Sequence, residues 1–150
     1  IKIVVDATKE LLVKSLPYRP FLIKPNNYEL GEIFGVRLTT RSSVIPYAKK
    51  LQNMGARNVL VSMAGEGAVL VSDDGQVIDA PAPEGKLING VGAGDSMVAG
   101  FMAGYLARHD YNHAFCMGVA SGSASAFSEN LATKEEIEKV YKTIVLEEKV

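Results

Sequence analysis

Gly90-Val91-Gly92-Ala93-Gly94-Asp95-Ser96 places three glycines in five positions, ahead of an apolar stretch with helical spacing. A loop of this kind bends tightly and lets a ligand come close to the backbone. The helix it opens leaves N–H groups free at its start, and the helix dipole makes them an anion site. A carboxylate in that first turn would repel a phosphate that merely rested there. Asp95 makes sense as a base that takes the proton of a substrate hydroxyl while the N–H groups stabilise a transferring phosphoryl group. The local features equally allow a tight turn with Asp95 capping or pairing with the helix dipole.

Other glycine motifs fail on spacing. No Gly-x-x-x-x-Gly-Lys-Ser/Thr is present, which excludes a Walker A loop. Asp95 stands where a dinucleotide fingerprint needs its last glycine. Gly94-Asp95-Ser96 lacks the Gly at 98 of a hydrolase nucleophile elbow.

Two further loops offer compatible chemistry. In Ser62-Met63-Ala64-Gly65-Glu66-Gly67 a strand ends and two glycines turn the chain; Ser62 and the Gly65 and Gly67 amides could face phosphates, or the segment is a plain hairpin. In Lys24-Pro25-Asn26-Asn27-Tyr28-Glu29, Lys24 could pair with phosphate charge. Asn26 and Glu29, three apart on one helix face, could orient a hydrated Mg²⁺, which takes few direct protein ligands. The bland alternative is an Asn cap with Glu29 paired to the helix dipole. Each of the three loops falls at a strand end, where open α/β sheets place ligands.

The elements that must position these loops follow from the hydrophobic pattern. Strands are expected at 1–5, 21–24, 58–63, 68–72 and 76–80, with a hairpin turn at Asp73-Asp74-Gly75. Helices are expected at 8–14, at 26–34 between an Asn26 or Asn27 cap and Gly35, and at 43–54 with a Ser42 or Ser43 cap and Pro46 in the first turn. Further helices are expected at 95–109, with Val98, Phe101, Met102, Tyr105 and Leu106 on one stripe, at 112–127, and from the Thr133–Glu136 capping box to about Val145. Alternating strands and helices give an α/β layered sheet.

The chain has 150 residues, 16 Lys+Arg against 17 Asp+Glu, a net charge of -1, 47% hydrophobic and 22% charged residues. That is one domain's worth of chain with enough apolar content for a core. The balanced charge argues against a nucleic-acid partner, and no apolar run approaches the ~18 residues of a membrane span. One cysteine, Cys116, and no leader-like start fit a cytoplasmic protein. Cys116 reads as a buried apolar filler, His109 and His113 as surface residues, and the Glu147-Glu148-Lys149 tail as solvated. Ile1-Lys2-Ile3-Val4-Val5 reads as strand from the first residue, as if a longer chain were entered in mid-sheet.

The three loops, in this order, resemble the PfkB (ribokinase-like) sugar kinase family. Asn89–Phe101 looks like its C-terminal signature, Asn26-x-x-Glu29 like its Asn-x-x-Glu motif, and Ser62-x-x-Gly65-x-Gly67 like its nucleotide-phosphate loop. The resemblance implies a three-layer α/β sandwich with a mostly parallel sheet, Asp95 as catalytic base, and the amides of Gly92, Ala93 and Gly94 as anion hole. It implies ATP and Mg²⁺ as cofactors. Lys24, Asn26, Ser62, Gly65, Gly67 and, in the small-residue helix, Gly122 would bind ATP, and Asn26 and Glu29 would serve the metal through water. Lys24–Gly35 and Asn89–Phe101 look most like the phosphosugar branch, which implies conversion of D-fructose 1-phosphate to D-fructose 1,6-bisphosphate, with tagatose 6-phosphate as the alternative sugar. Nucleoside or vitamin kinases of the same fold, and a non-catalytic nucleotide-binding fragment, stay open. Family members are roughly twice this length, so residues 1–150 are expected to be the C-terminal, nucleotide-binding half, without the N-terminal half and lid, inactive alone, and a homodimer in the full-length protein.

Overall fold

The computed structural model describes residues 1–149. In chain order the elements are β1 (Val4–Val5), α1 (Lys9–Ser15), β2 (Leu22–Ile23), α2 (Asn27–Phe34), α3 (Arg41–Asn53), β3 (Asn58–Ser62), β4 (Ala68–Val71), β5 (Val77–Ala80), α4 (Ala93–Arg108), α5 (Tyr111–Ala126), α6 (Lys134–Tyr141) and β6 (Glu147–Lys149). They form two compact units, Ile1–Asp79 with β6, and Ala80–Leu146. Among the described residues no helix is long and apolar enough to cross a membrane.

The first unit is built on a sheet of order β1-β2-β3-β4-β5-β6. β1 and β2 are parallel, with Val5 opposite Ile23, and β2 and β3 are parallel, with Ile23 opposite Val59. β3 with β4, and β5 with β6, are antiparallel. The mostly parallel order expected from the resemblance is therefore found over β1–β2–β3, and the sheet as a whole is mixed. Connection length explains the change: helices separate the first three strands, whereas a short turn joins β3 to β4, and such a turn links only antiparallel neighbours. The 147–149 tail, read from sequence as solvated, supplies the backbone of β6. Its charged composition suits a short edge strand.

β3 and β4 carry near-continuous apolar runs, and Asn58–Val61 and all of β4 are buried. Such runs mark strands covered on both faces. Leu12, Leu30, Val44, Ala48 and Leu51 of α1–α3 pack with Ile23, Val59, Val61 and Val69 in one core. Each fully buried Leu, Val or Ile there is worth roughly 1.5–3 kcal/mol of transfer free energy. Buried Asn58 joins three segments, donating to the Phe21 carbonyl at 2.8 Å and accepting from the Asp73 amide at 2.9 Å. Asp79, 1% exposed, meets Arg41 of α3 at 3.1 Å.

α3 starts two residues earlier than its sequence suggests. Thr40, rather than Ser42 or Ser43, caps it, in a reciprocal box with Ser43. Pro46 consequently falls in the second turn.

In the second unit α4 and α5 pack through a seam of small residues. Gly100 lies against Ser121 and the Met117 carbonyl, and Gly118 against Phe101. The buried residues of α4 are Gly100, Phe101 and Gly104. The expected apolar stripe is thus only partly inward, and Leu106 is 58% exposed. Small residues allow the backbones to approach, so the contact face is set by size rather than by hydrophobicity. α6 ends at Tyr141, short of Val145.

Candidate functional site

In the second unit Asp110 caps α5 through the amides of Asn112 and His113, whereas α4 has no side-chain cap. Its N-cap is Gly92, at φ +78°, ψ −1°, a left-handed conformation that costs a residue with a Cβ about 1–2 kcal/mol. The loop is held from behind. The amides of Ile88 and Asn89 donate to the Ala126 carbonyl at 2.8 and 3.1 Å. The Asn89 side chain donates to the Glu129 carbonyl and accepts from the Val91 amide. The Ala93 amide reaches back to the Gly90 carbonyl at 3.3 Å and the Ser96 amide to that of Gly92 at 2.9 Å. The amides of Gly94 and Asp95 fall between these two closures, and among the described residues no side-chain cap takes them. The Asp95 side chain lies in the same turn and is exposed. The helix thus begins with an acceptor-hungry end and an exposed carboxylate beside it.

Gly122 of α5 sits directly behind this turn. A Cβ there would lie 3.0 Å from the Ala93 carbonyl and 3.2 Å from Met97. Its structural place is the close packing of α5 on the first turn of α4. Two serines tighten that junction: Ser125 Oγ donates to Ser96 Oγ at 3.1 Å and accepts from the Ala132 amide at 3.2 Å. Neither contact is signalled by local sequence spacing, because it joins residues 29 or 7 positions apart.

In the first unit the other two loops meet. Asn26 and Ser62 form a parallel bridge, and the Ser62 amide donates to the Pro25 carbonyl at 3.1 Å. Lys24, Asn26, Glu29 and Ser62 are therefore neighbours at the carboxyl ends of β2 and β3. Asn26 caps α2. Its Oδ1 accepts from the Glu29 amide at 2.8 Å, and Glu29 Oε1 accepts from the Asn26 amide at 3.5 Å. The bland reading of this pair is thus real geometry, and it leaves the second lone pair of Asn26 Oδ1 and the second Glu29 oxygen available. No group of three His, Cys, Asp or Glu side chains suited to a metal occurs among the described residues. Two remaining oxygens fit a hydrated cation held largely through water, the manner Mg²⁺ prefers.

The 62–67 loop is a 3₁₀ turn, Ala64–Glu66, closed by Gly67 at φ +105°. The Gly67 amide donates to the Ala64 carbonyl at 3.1 Å. It is spent inside the turn rather than offered to a phosphate, and the glycine's contribution is its backbone angle. Gly65 stands in the open, with nothing within 4 Å of a Cβ built on it.

Lys24 is buried to 7% exposure, and its ammonium lies 3.7 Å from Asp6 Oδ1. Asp6 is a site neighbour that no sequence motif marks; its signal is the matched ends of two apolar strands, Val4-Val5-Asp6 and Leu22-Ile23-Lys24.

His113 departs from expectation. It is half-buried, with Nδ1 2.8 Å from the Tyr141 hydroxyl, and joins α5 to α6. Burial lowers its pKa, assisted by Arg108 and opposed by Asp110. Cys116 is buried as expected, and burial, with Asp110 adding, pushes its thiol up to about 11.

This arrangement has known relatives. The chain is 49% identical over 139 residues to a 1-phosphofructokinase of Bacillus subtilis (strain 168), an alignment that takes 93% of this chain and 46% of that protein. A solved structure from Staphylococcus aureus, provisionally assigned as a phosphofructokinase, superposes with a TM-score of 0.93 at 42% identity, over 99% of this chain and 48% of that one. Arabidopsis thaliana ribokinase, at 19% identity, shares the fold with a TM-score of 0.77 over 95% of this chain and 48% of its own. The chain has the ribokinase-like α/β fold and spans about half the length of the relatives it matches. The family profile, described as pfkB family carbohydrate kinase, matches residues 2–138, all the loops above included. By that match and by the fold that carries it, the chain belongs to the pfkB family of carbohydrate kinases.

Proposed function

We propose that the chain is the nucleotide-binding portion of an ATP-dependent sugar-phosphate kinase that converts D-fructose 1-phosphate and ATP to D-fructose 1,6-bisphosphate and ADP. The observation that carries this reading is the uncapped start of α4 on a left-handed Gly92, with Asp95 exposed in the same turn. Amides fixed in place before charge develops stabilise it without reorganising. Asp95 takes the proton of the 6-hydroxyl as that oxygen attacks the γ-phosphorus in line. The amides of the 92–94 turn receive the charge on the transferring group.

Lys24 supplies a cation to the nucleotide phosphates, with Asn26, Ser62 and the Gly65 amide beside it. Asn26 and Glu29 would hold Mg²⁺ through water; when bound, the ion neutralises phosphate charge. The name carried by the Bacillus subtilis relative supports fructose 1-phosphate as the acceptor. A single buried thiol and the use of ATP support a cytoplasmic setting.

The test has two parts. Titrating the chain with Mg·ATP in a calorimeter is expected to give saturable binding that Gly94→Val abolishes; a folded chain with no binding overturns the nucleotide reading. In the catalytically complete protein, Asp95→Asn is expected to lower kcat by about 10²–10⁴-fold with ATP affinity retained. Normal turnover by that variant removes Asp95 as base. Turnover of tagatose 6-phosphate, adenosine or pyridoxal without fructose 1-phosphate removes the assigned substrate.

A further inference from the structure

Lysine is seldom as buried as Lys24, at 7% exposure, because a desolvated ammonium needs a counter-charge. Asp6 Oδ1 provides it at 3.7 Å, from a side chain 37% exposed. The pairing is set by strand register: Val5 lies opposite Ile23, so the next residues of the two parallel strands, Asp6 and Lys24, emerge side by side. The distance exceeds hydrogen-bond length, so the three ammonium donors remain open to a stronger acceptor.

We infer that Asp6 is a positioning residue for Lys24, a resident counter-ion that holds the ammonium in place until nucleotide phosphate oxygens displace it. This rests on the phosphate role proposed for Lys24. The asymmetry of exposure gives the exchange its direction. Asp6, more than a third exposed, turns to water when displaced; Lys24, packed along its length, stays and takes the new partner. Asp6 therefore opposes anion binding by competing for the lysine. Its removal tightens binding of a polyphosphate and destabilises the empty chain. A carboxylate whose task was to hold a cation would act with the opposite sign, and its loss would weaken Mg·ATP.

The experiment is calorimetric titration of metal-free inorganic tripolyphosphate and of Mg·ATP into the wild-type chain, Asp6→Asn, Asp6→Glu, Lys24→Met and the Asp6→Asn/Lys24→Met double variant. Thermal melts of each are recorded alongside. Lys24→Met is expected to weaken tripolyphosphate binding about tenfold or more. Asp6→Asn is expected to tighten it about two- to fivefold, the range of a partly exposed ion pair, and to lower the melting midpoint. Asp6→Glu restores wild-type behaviour, and Asp6→Asn has no effect on affinity once Lys24 is Met. Unchanged affinity in Asp6→Asn, or weaker Mg·ATP binding that persists in the double variant, overturns the inference and leaves the nucleotide reading standing. A wild-type chain that binds neither probe overturns the nucleotide reading and the inference with it.

Discussion

Alanine at position 100 sets two effects against each other. Gly100 is buried in the middle of α4, and replacing a helical glycine by alanine gains about 1 kcal/mol of helix propensity. The new methyl, however, would lie 2.2 Å from Ser121 Oγ and 2.5 Å from the Met117 carbonyl oxygen. The serine can rotate away. The carbonyl belongs to the backbone of α5 and moves only if the helix moves. Ordinary contact begins near 3.4 Å, so α4 and α5 must part by roughly 0.9 Å. A gap of that size forfeits a quarter to a half of each dispersion contact along the seam, and overpacking of a fitted core costs about 1–3 kcal/mol or more. The clash outweighs the propensity gain, for a net loss of about 1 kcal/mol. For a chain of this size that lowers the melting midpoint by roughly 2–4 °C. Far-UV circular dichroism melts measure it, with Gly65→Ala as control, since a methyl there meets nothing within 4 Å and is expected to change stability by less than about 0.5 kcal/mol. A Gly100→Ala chain that melts at or above the wild-type midpoint refutes the tight seam.

Gly92→Ala is expected to destabilise by about 1 kcal/mol through its positive φ and to weaken Mg·ATP, while D-alanine at 92, which favours that conformation, restores both in a semisynthetic chain. The His113 pKa is lowered in the folded state, so the stability it confers is fully present above pH 6.5, its usual value, and is lost as pH falls below it. The melting midpoint should therefore drop as pH falls below about 6.5, and drop less in His113→Gln; an equal drop in both removes His113 as the cause. Cys116, its thiol pushed up to about 11, is expected to resist iodoacetamide at about pH 8 in the folded chain and react once unfolded, as mass spectrometry would show. Prompt alkylation of the native chain contradicts its burial.

What could be read in advance was what is local. The Asn26 cap with Glu29 three residues on, the Thr133–Glu136 box and the Gly35 stop are encoded within single turns, and all three stand in the structure. The apolar runs of β3 and β4 declared themselves by composition. Tertiary choices were hidden. Thr40 won the cap of α3 because its hydroxyl reaches the Ser43 amide, a contest that residue type alone leaves open among Thr39, Thr40, Ser42 and Ser43. The buried face of α4 follows the backbone of α5 rather than its own apolar stripe. The partnership of Asp6 with Lys24 depends on strand register, and that of His113 with Tyr141 on the docking of a helix 28 residues away. The Gly67 amide is consumed by a carbonyl three residues back, which the glycine pattern of the loop does not show.

The bridge between Asn26 and Ser62 has a thermodynamic consequence. With the Ser62 amide on the Pro25 carbonyl, the loop that ends β3 and the cap that starts α2 share a backbone contact. A ligand that orders one loop lowers the cost of ordering the other, and by linkage the favour is returned in equal measure. On the proposed reading, a cation at Asn26 and Glu29 and a phosphate at the 62–67 turn would bind with positive coupling through this bridge, even with no direct contact between the two ligands. Cutting the link by placing proline at 62, where the amide is lost, would make the two affinities independent.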